Sequence, residues 1–164
     1  MRQIILIAHN VRSAHNIGSL LRTADGLGID EVLISGYSPY PPAKDDGRLP
    51  HIAQKAGRRI AKTALGAEVS VSWRYVEDLA QALKELSARG FIIAALEQTP
   101  SALPINEYRP AEKIALIVGN EVSGLDEQSL KLSGIHLMIP MLGKKESLNV
   151  AAAAAMALYH LRHS

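Results

Sequence analysis

Five short runs in this chain are almost wholly apolar: Gln3–Ala8, Glu31–Ser35, Phe91–Leu96, Ile114–Val118 and His136–Ile139. A strand with one wet face alternates apolar and polar residues, because successive side chains point to opposite faces. Runs without that alternation need cover on both sides, which is the signature of a parallel sheet. Helical periodicity fills the intervals over Asn16–Leu27, Ile52–Leu65, Val76–Arg89, roughly Asp126–Leu132, and Leu148–Leu161. Strands alternating with helices predict an α/β fold, a mostly parallel sheet with helices on both faces. The Pro-rich stretch Ser38–Ala43 and the stretch Thr99–Pro104 read as loops inside one body. Residues 1–164 are therefore expected to form a single domain, a length that supports a full-sized core.

The last helical segment departs from the amphipathic norm. Leu148–Tyr159 reads Leu-Asn-Val-Ala-Ala-Ala-Ala-Ala-Met-Ala-Leu-Tyr, apolar on nearly every side. Alanine explains the helix by propensity but not the missing polar face. A helix apolar all round is buried or covered by a partner, and burial in an interface or a threaded core is the expectation here.

Composition narrows the chemistry. The chain has no cysteine, so neither a disulfide framework nor a thiolate metal site nor a thiol nucleophile is available. No apolar stretch is long enough to span a membrane, and the start is too weakly apolar for a secretory leader. A cytoplasmic location is the expectation. The net charge is only +2, yet Lys44, Arg48, Lys55, Arg58, Arg59 and Lys62 lie within nineteen residues against Asp45 and Asp46. That local excess suits an anionic partner such as nucleic acid. With one Trp, one Phe and five Tyr, an extended base-stacking platform of the single-strand-binding kind is disfavoured.

Neither G-x-G-x-x-G after a strand nor G-x-x-x-x-G-K-[ST] occurs, so phosphate-cradle enzymes are disfavoured too. Gly26-Leu-Gly28 follows a helix and reads as its cap. His160 and His163 have helical pair spacing but read as a solvated tail; no metal site is expected. Three polar clusters remain, each at a junction of strand and helix. They are Asn10–Ala24, with Asn16 at the helix start and Arg22 on the helix; Gly119–Gly124; and Ile139–Asn149. Ligands of open parallel sheets bind outside the carboxyl ends of the strands, where the second and third clusters fall. Simpler roles exist for each member: Asn16 and Ser147 as helix N-caps, Arg22 paired with Asp25, Gly119-Asn120 as a turn. Those roles account poorly for three clusters rich in uncharged hydrogen-bonding groups beside buried strands.

Taken in order, Asn16…Arg22-Thr-Ala, then Gly119-Asn-Glu with Gly124-Leu, then Ile139-Pro-Met…Ser147-Leu-Asn149 resemble the three signature motifs of the SpoU/TrmH branch of the SPOUT RNA methyltransferases. The resemblance covers residues 10–35 and 91–163. It implies a C-terminal trefoil knot, a homodimer, and S-adenosyl-L-methionine bound beside the knot, close to the second subunit. Transfer of a methyl group to a ribose 2′-hydroxyl of tRNA or rRNA is the implied activity. A knotted methyltransferase acting on an RNA base, or a catalytically silent RNA-binding module on the same fold, are the alternatives.

Carried over residue by residue, the resemblance assigns Leu96, Gly119, Ile139, Ser147 and Leu148 to the cofactor pocket. Arg22 becomes the catalytic residue, with Asn16, Glu121, Ser147 and Asn149 positioning it and the incoming ribose. Arginine is a poor proton acceptor, since its pKa lies above ~12. It serves better as a cation stabilising the forming alkoxide, with a substrate phosphate or Glu121 left as candidates for the proton. Val122 stands where similar sequences often carry glycine, so a different local loop is expected. The residues given include no separate RNA-recognition segment, so RNA is expected to meet this domain's own surface. Arg12 and the face Lys55, Arg58, Arg59 and Lys62, at i, i+3, i+4 and i+7, are the candidate RNA contacts. An apolar stripe of Ile52, Ala56, Ile60 and Ala64 is expected beside that face.

Overall fold

The computed structural model describes residues 1–164. Seven strands, β1 (Gln3–His9), β2 (Glu31–Ser35), β3 (Trp73–Val76), β4 (Ile92–Leu96), β5 (Leu103–Pro104), β6 (Lys113–Val118) and β7 (Ile135–Met138), make one sheet. Its order is β3-β2-β1-β6-β4-β7-β5, and every pairing is parallel. The helices are α1 (Ala14–Gly26), α2 (Pro50–Ala64), a single turn α3 (Ala67–Ser70), α4 (Leu79–Ala88), α5 (Glu127–Leu132) and α6 (Val150–His163). All five expected strands are present, and two edge strands add to them. Neither addition announces itself in the sequence: β3 carries the exposed Arg74, and β5 is two residues ending in Pro104. Edges are where a sheet tolerates proline.

The strands are buried on both faces, as their composition demands. Ile4, Leu6 and Ala8 of β1 face one core with Ile114, Leu116 and Val118 of β6, under α1, α2, α3 and α6. Ile5 and Ile7 face a second core with Ala115 and Ile117, under α4 and α5. Two late strands are slotted between earlier ones: β6 lies between β1 and β4, and β7 between β4 and β5.

Several local expectations need correction. Val76 does not open a helix; it closes β3, and α4 starts at Leu79 because Asp78 caps it, Oδ1 accepting from Gln81 N at 2.9 Å. On α2 the buried residues are Ala53, Ile60 and Ala64, whereas Ile52 is exposed, about a quarter turn off that line. Arg48, counted among the basic residues, is occupied: it donates to Asp46 (Nε–Oδ1 2.8 Å) and lies over the Tyr40 ring. The last helix begins at Val150 rather than Leu148. It is not apolar-covered all round: Ala151, Ala154, Ala157, Leu158 and Leu161 are buried, while Met156 and Tyr159 are 51% and 61% exposed. As expected, α1 ends at the Gly26-Leu-Gly28 cap, with Ile29 N donating to Ala24 O at 2.9 Å.

Candidate functional site

Because every strand is parallel, the carboxyl ends of β4, β6 and β7 come out at one edge, and a cleft opens there. It holds about 150 Å³ and opens into solvent. Leu96 ends β4, Gly119 follows β6, Ile139 follows β7, and Ser147 and Leu148 lie in the stretch before α6. All five residues expected to hold a cofactor therefore line one cavity. Val118, Met138, Met141, Val150 and Ala153 complete its apolar wall, with Glu97, Gln98, Asn120 and Glu121 supplying polar groups.

A shallower cleft adjoins it, lined by Arg12, Ser13, Asn16, Glu121 and Val122. Glu121 and Val122 belong to both. At this junction the three sequence clusters meet in one hydrogen-bonded chain. The Glu121 carboxylate accepts from Arg12 N (2.9 Å), Ser13 N (3.0 Å) and Asn16 Nδ2 (2.7 Å). Asn16 Oδ1 accepts from Asn149 Nδ2 at 3.1 Å, and Asn149 Oδ1 accepts from Ala151 N at 2.9 Å at the start of α6. The direction of both amides follows from the ends of the chain. An ionised carboxylate only accepts and a helix N-terminus only donates, so each asparagine must point its NH₂ toward Glu121's side. Burial pushes the Glu121 carboxyl up, but the bonds from Arg12 N, Asn16 and Ser13 N outweigh it and hold the group below the usual range.

The simpler roles considered for Asn16 and Ser147 do not apply. Ser13 caps α1, its Oγ accepting from Asn16 N at 3.3 Å, and Asn149 caps α6. Ser147 lines the more enclosed cleft and takes no part in the chain. Gly119-Asn120 does begin a tight turn, as the alternative allowed. Asn120 and Gly124 exchange backbone bonds of 3.1 and 3.0 Å, and Asn120 Oδ1 accepts from Val122 N and Ser123 N. In that turn Val122 is 83% exposed and needs no left-handed backbone, so the absence of glycine there costs nothing.

Arg22 stands apart. Six residues beyond Asn16, it lies about 120° around α1 from it. It is exposed, pairs with neither Asp25 nor any other acid, and lines neither cleft. Asp25 is taken by Ser70 Oγ at 2.8 Å. Arg12 lies at the mouth of the shallow cleft. Lys55, Arg58, Arg59 and Lys62 are exposed together on α2, away from both clefts. His160 and His163 do not converge: His160 Nε2 meets Tyr108 O at 2.9 Å and His163 lies against Tyr159.

Glu97 was not singled out in the sequence. Its carboxylate accepts from Leu125 N (2.9 Å) and Gln98 N (3.0 Å), and closes the turn that Asn120 opens. Gly124 is left-handed (φ 68°), and a Cβ there would meet Glu97 Oε2 at 2.2 Å. An acid directly after a buried strand was the one available signal.

Comparison with known proteins adds three findings. Residues 3–159 match the family described as the SpoU rRNA Methylase family. A Bacillus subtilis relative, named 23S rRNA (guanosine(2553)-2'-O)-methyltransferase RlmP, is 32% identical over 158 residues, covering 96% of this chain and 57% of its own. The chain thus spans a little over half the length of the curated relatives it matches. Among solved structures, the A. aeolicus TrmH/SpoU tRNA modifying enzyme aligns with a TM-score of 0.75 at 25% identity, over 99% of this chain and 75% of that one. A structure described as giving insight into 2-OH methylation of C/U34 on tRNA aligns at 0.71 and 27% identity, over 98% and 94%.

Proposed function

The chain belongs to the SpoU rRNA methylase family; from that premise we propose that it is an RNA methyltransferase, moving the methyl group of S-adenosyl-L-methionine to a ribose 2′-hydroxyl. The observation that carries this reading is the hydrogen-bonded chain Glu121–Asn16–Asn149, which joins all three motifs where the two clefts meet. The relatives' names specify a 23S rRNA guanosine and position 34 of tRNA, so rRNA and tRNA are the acceptor classes proposed. The cytoplasm is the compartment such substrates call for; no helix is long and apolar enough to cross a membrane.

The more enclosed cleft fits the cofactor. Its wall is mainly apolar with a few polar groups from strand ends, the lining that suits a heteroaromatic ring with a polar tail. Leu96, Gly119, Ile139, Ser147 and Leu148 would hold it. Bound there, the cofactor supplies a methyl group on a sulfonium that departs as a neutral thioether. The protein's share is then orientation and charge placement. Glu121 is better suited to positioning than to taking the proton, since its carboxylate already accepts three bonds and its pKa is depressed; the hydroxyl proton leaves to a phosphate of the acceptor RNA. Asn16 and Asn149 fix the ribose side of the cleft. Arg22 stabilises the developing alkoxide, and because it lies off its own chain's relay, we assign it to the acceptor site of a second copy in a homodimer.

Calorimetry with S-adenosylhomocysteine tests the reading at its root. Heat of binding, and a melting temperature that rises with ligand, are expected in the presence of a metal chelator. Neither effect at millimolar ligand would remove the enzyme.

A further inference from the structure

Most aromatic rings of this chain are spent inside it. Tyr40 stacks on Tyr75 with centroids 4.4 Å apart, and Trp73 and Arg48 close the same group. Phe91 is buried, and Tyr159 lies against His163 on α6. Tyr37 differs. Exposed at 60%, much as Tyr159 is, it takes part in none of these ring contacts and stands at the carboxyl end of β2, on the sheet edge where the clefts open.

Its exposure is not looseness. The Tyr37 N–H donates to Asn10 Oδ1 at 3.1 Å, and its phenol oxygen accepts from Asn120 Nδ2 at 2.8 Å. The Asn120 amide can point only one way, because its Oδ1 accepts from Val122 N and Ser123 N. Tyr37 therefore accepts at its oxygen, and its own O–H is left without a protein acceptor. The backbone leading to it is built for this placement. Asn10 and Gly36 are both left-handed (φ 56° and 65°), and a Cβ on Gly36 would fall 1.9 Å from Asn10 Oδ1. Left-handed backbone at a non-glycine residue is uncommon and clusters at functional sites. Asn120 itself lines the more enclosed cleft and precedes Glu121. A ring fixed at both ends, with an open face and a free donor, thus stands one residue from the acceptor chain.

We propose that Tyr37 is a stacking platform for one unpaired base of the acceptor RNA, at or beside the methylated nucleotide. The proposal rests on the RNA methyltransferase reading and deepens it by naming the substrate class as single-stranded or loop RNA. A base inside a duplex is stacked on its neighbours and shows no face to a side chain, whereas loop bases are splayed out onto aromatic rings. Sparse aromatics exclude an extended stacking track; a single ring at the cleft is a different device, suited to one base.

The test uses the full chain with saturating S-adenosylhomocysteine and two probes, polyuridylate and the poly(A)·poly(U) duplex, at one salt concentration. Wild type should bind the single strand more tightly than the duplex. Tyr37→Ala should lose about tenfold or more on the single strand, the scale of base–aromatic stacking, and hold its duplex affinity. Tyr37→Phe, which keeps the ring and loses the hydroxyl, should stay within about twofold to threefold of wild type. The proposal is overturned by equal losses on both probes, by no loss in Tyr37→Ala, by Tyr37→Phe as weak as Tyr37→Ala, or by a wild type that does not prefer the single strand. Should the wild type bind no S-adenosylhomocysteine in calorimetry, the methyltransferase reading fails by itself, while the two polymers still decide the role of Tyr37.

Discussion

A carboxylate whose lone pairs are taken by neighbours is a strut, and Glu121 is held that way by Arg12 N, Ser13 N and Asn16. Its folded-state pKa is depressed from the ordinary 4.5, so its stabilisation is present above that value and lost as pH falls through the lower folded value. Glu121→Gln should therefore melt below wild type at neutral pH, by roughly 2–4 °C for about 1 kcal/mol in a chain of this size. The gap should close as pH falls below the ordinary carboxylate range. A gap that stays constant with pH would mean that the charge is not what holds the loop. Asn16→Asp should be worse than Asn16→Ala at neutral pH, because it sets a second acid against Glu121 where a donor stood. At this scale the sequence displays members of a motif but not their partners. Asn16, Glu121 and Asn149 are legible because uncharged hydrogen-bonding residues gather beside buried strands. Glu97 and Tyr37 are not, since each takes its meaning from a partner far along the chain, Leu125 and Asn120.

At the scale of elements, composition gives type more readily than orientation. The α2 segment displays its helical period, but whether Ile52 or Ala53 turns inward depends on how the helix rests on α1. The inward line of Ala53, Ile60 and Ala64 leaves Lys55, Arg58, Arg59 and Lys62 in solvent. Reversing Lys55 and Arg58 to glutamate should weaken RNA binding and lower the slope of log affinity against log salt by about one unit or more, as fewer counterions are released. Affinity for S-adenosylhomocysteine should hold. Unchanged RNA affinity and slope would make this an ordinary solvated face. On α6 the missing polar face is legible as a problem, and half of its solution lies within the chain: one side packs on α1 and β6, while Met156 and Tyr159 look outward. We propose that these two residues, three apart on one helix, form part of a homodimer interface. Met156→Glu with Tyr159→Glu should give monomers in sedimentation at micromolar concentration. Dimers that survive the double change would put the interface elsewhere.

For the whole molecule, the parallel sheet follows from five apolar runs, but the slotting of β6 and β7 between earlier strands does not. Strand order is a long-range choice that local composition does not record, and a trefoil knot, which the family resemblance implies, would be another. In the homodimer we propose, Arg22, exposed in its own copy, serves the acceptor site of the other. Co-expressing Arg22→Ala with Asn149→Ala should recover roughly a quarter of wild-type turnover, because mixed dimers keep one site with both residues intact. Recovery near zero would place Arg22 in its own chain's site, and recovery near one half would put it outside the chemistry. Above these details stands the claim that the acceptor is a ribose oxygen. Alkali cleaves RNA through the neighbouring 2′-hydroxyl, so a methylated position resists it. The direct measurement is alkaline hydrolysis of RNA from a strain lacking the gene, after incubation with the protein and methyl-labelled cofactor. The account predicts label in one alkali-resistant dinucleotide; label recovered on a modified base in an ordinary mononucleotide would contradict it.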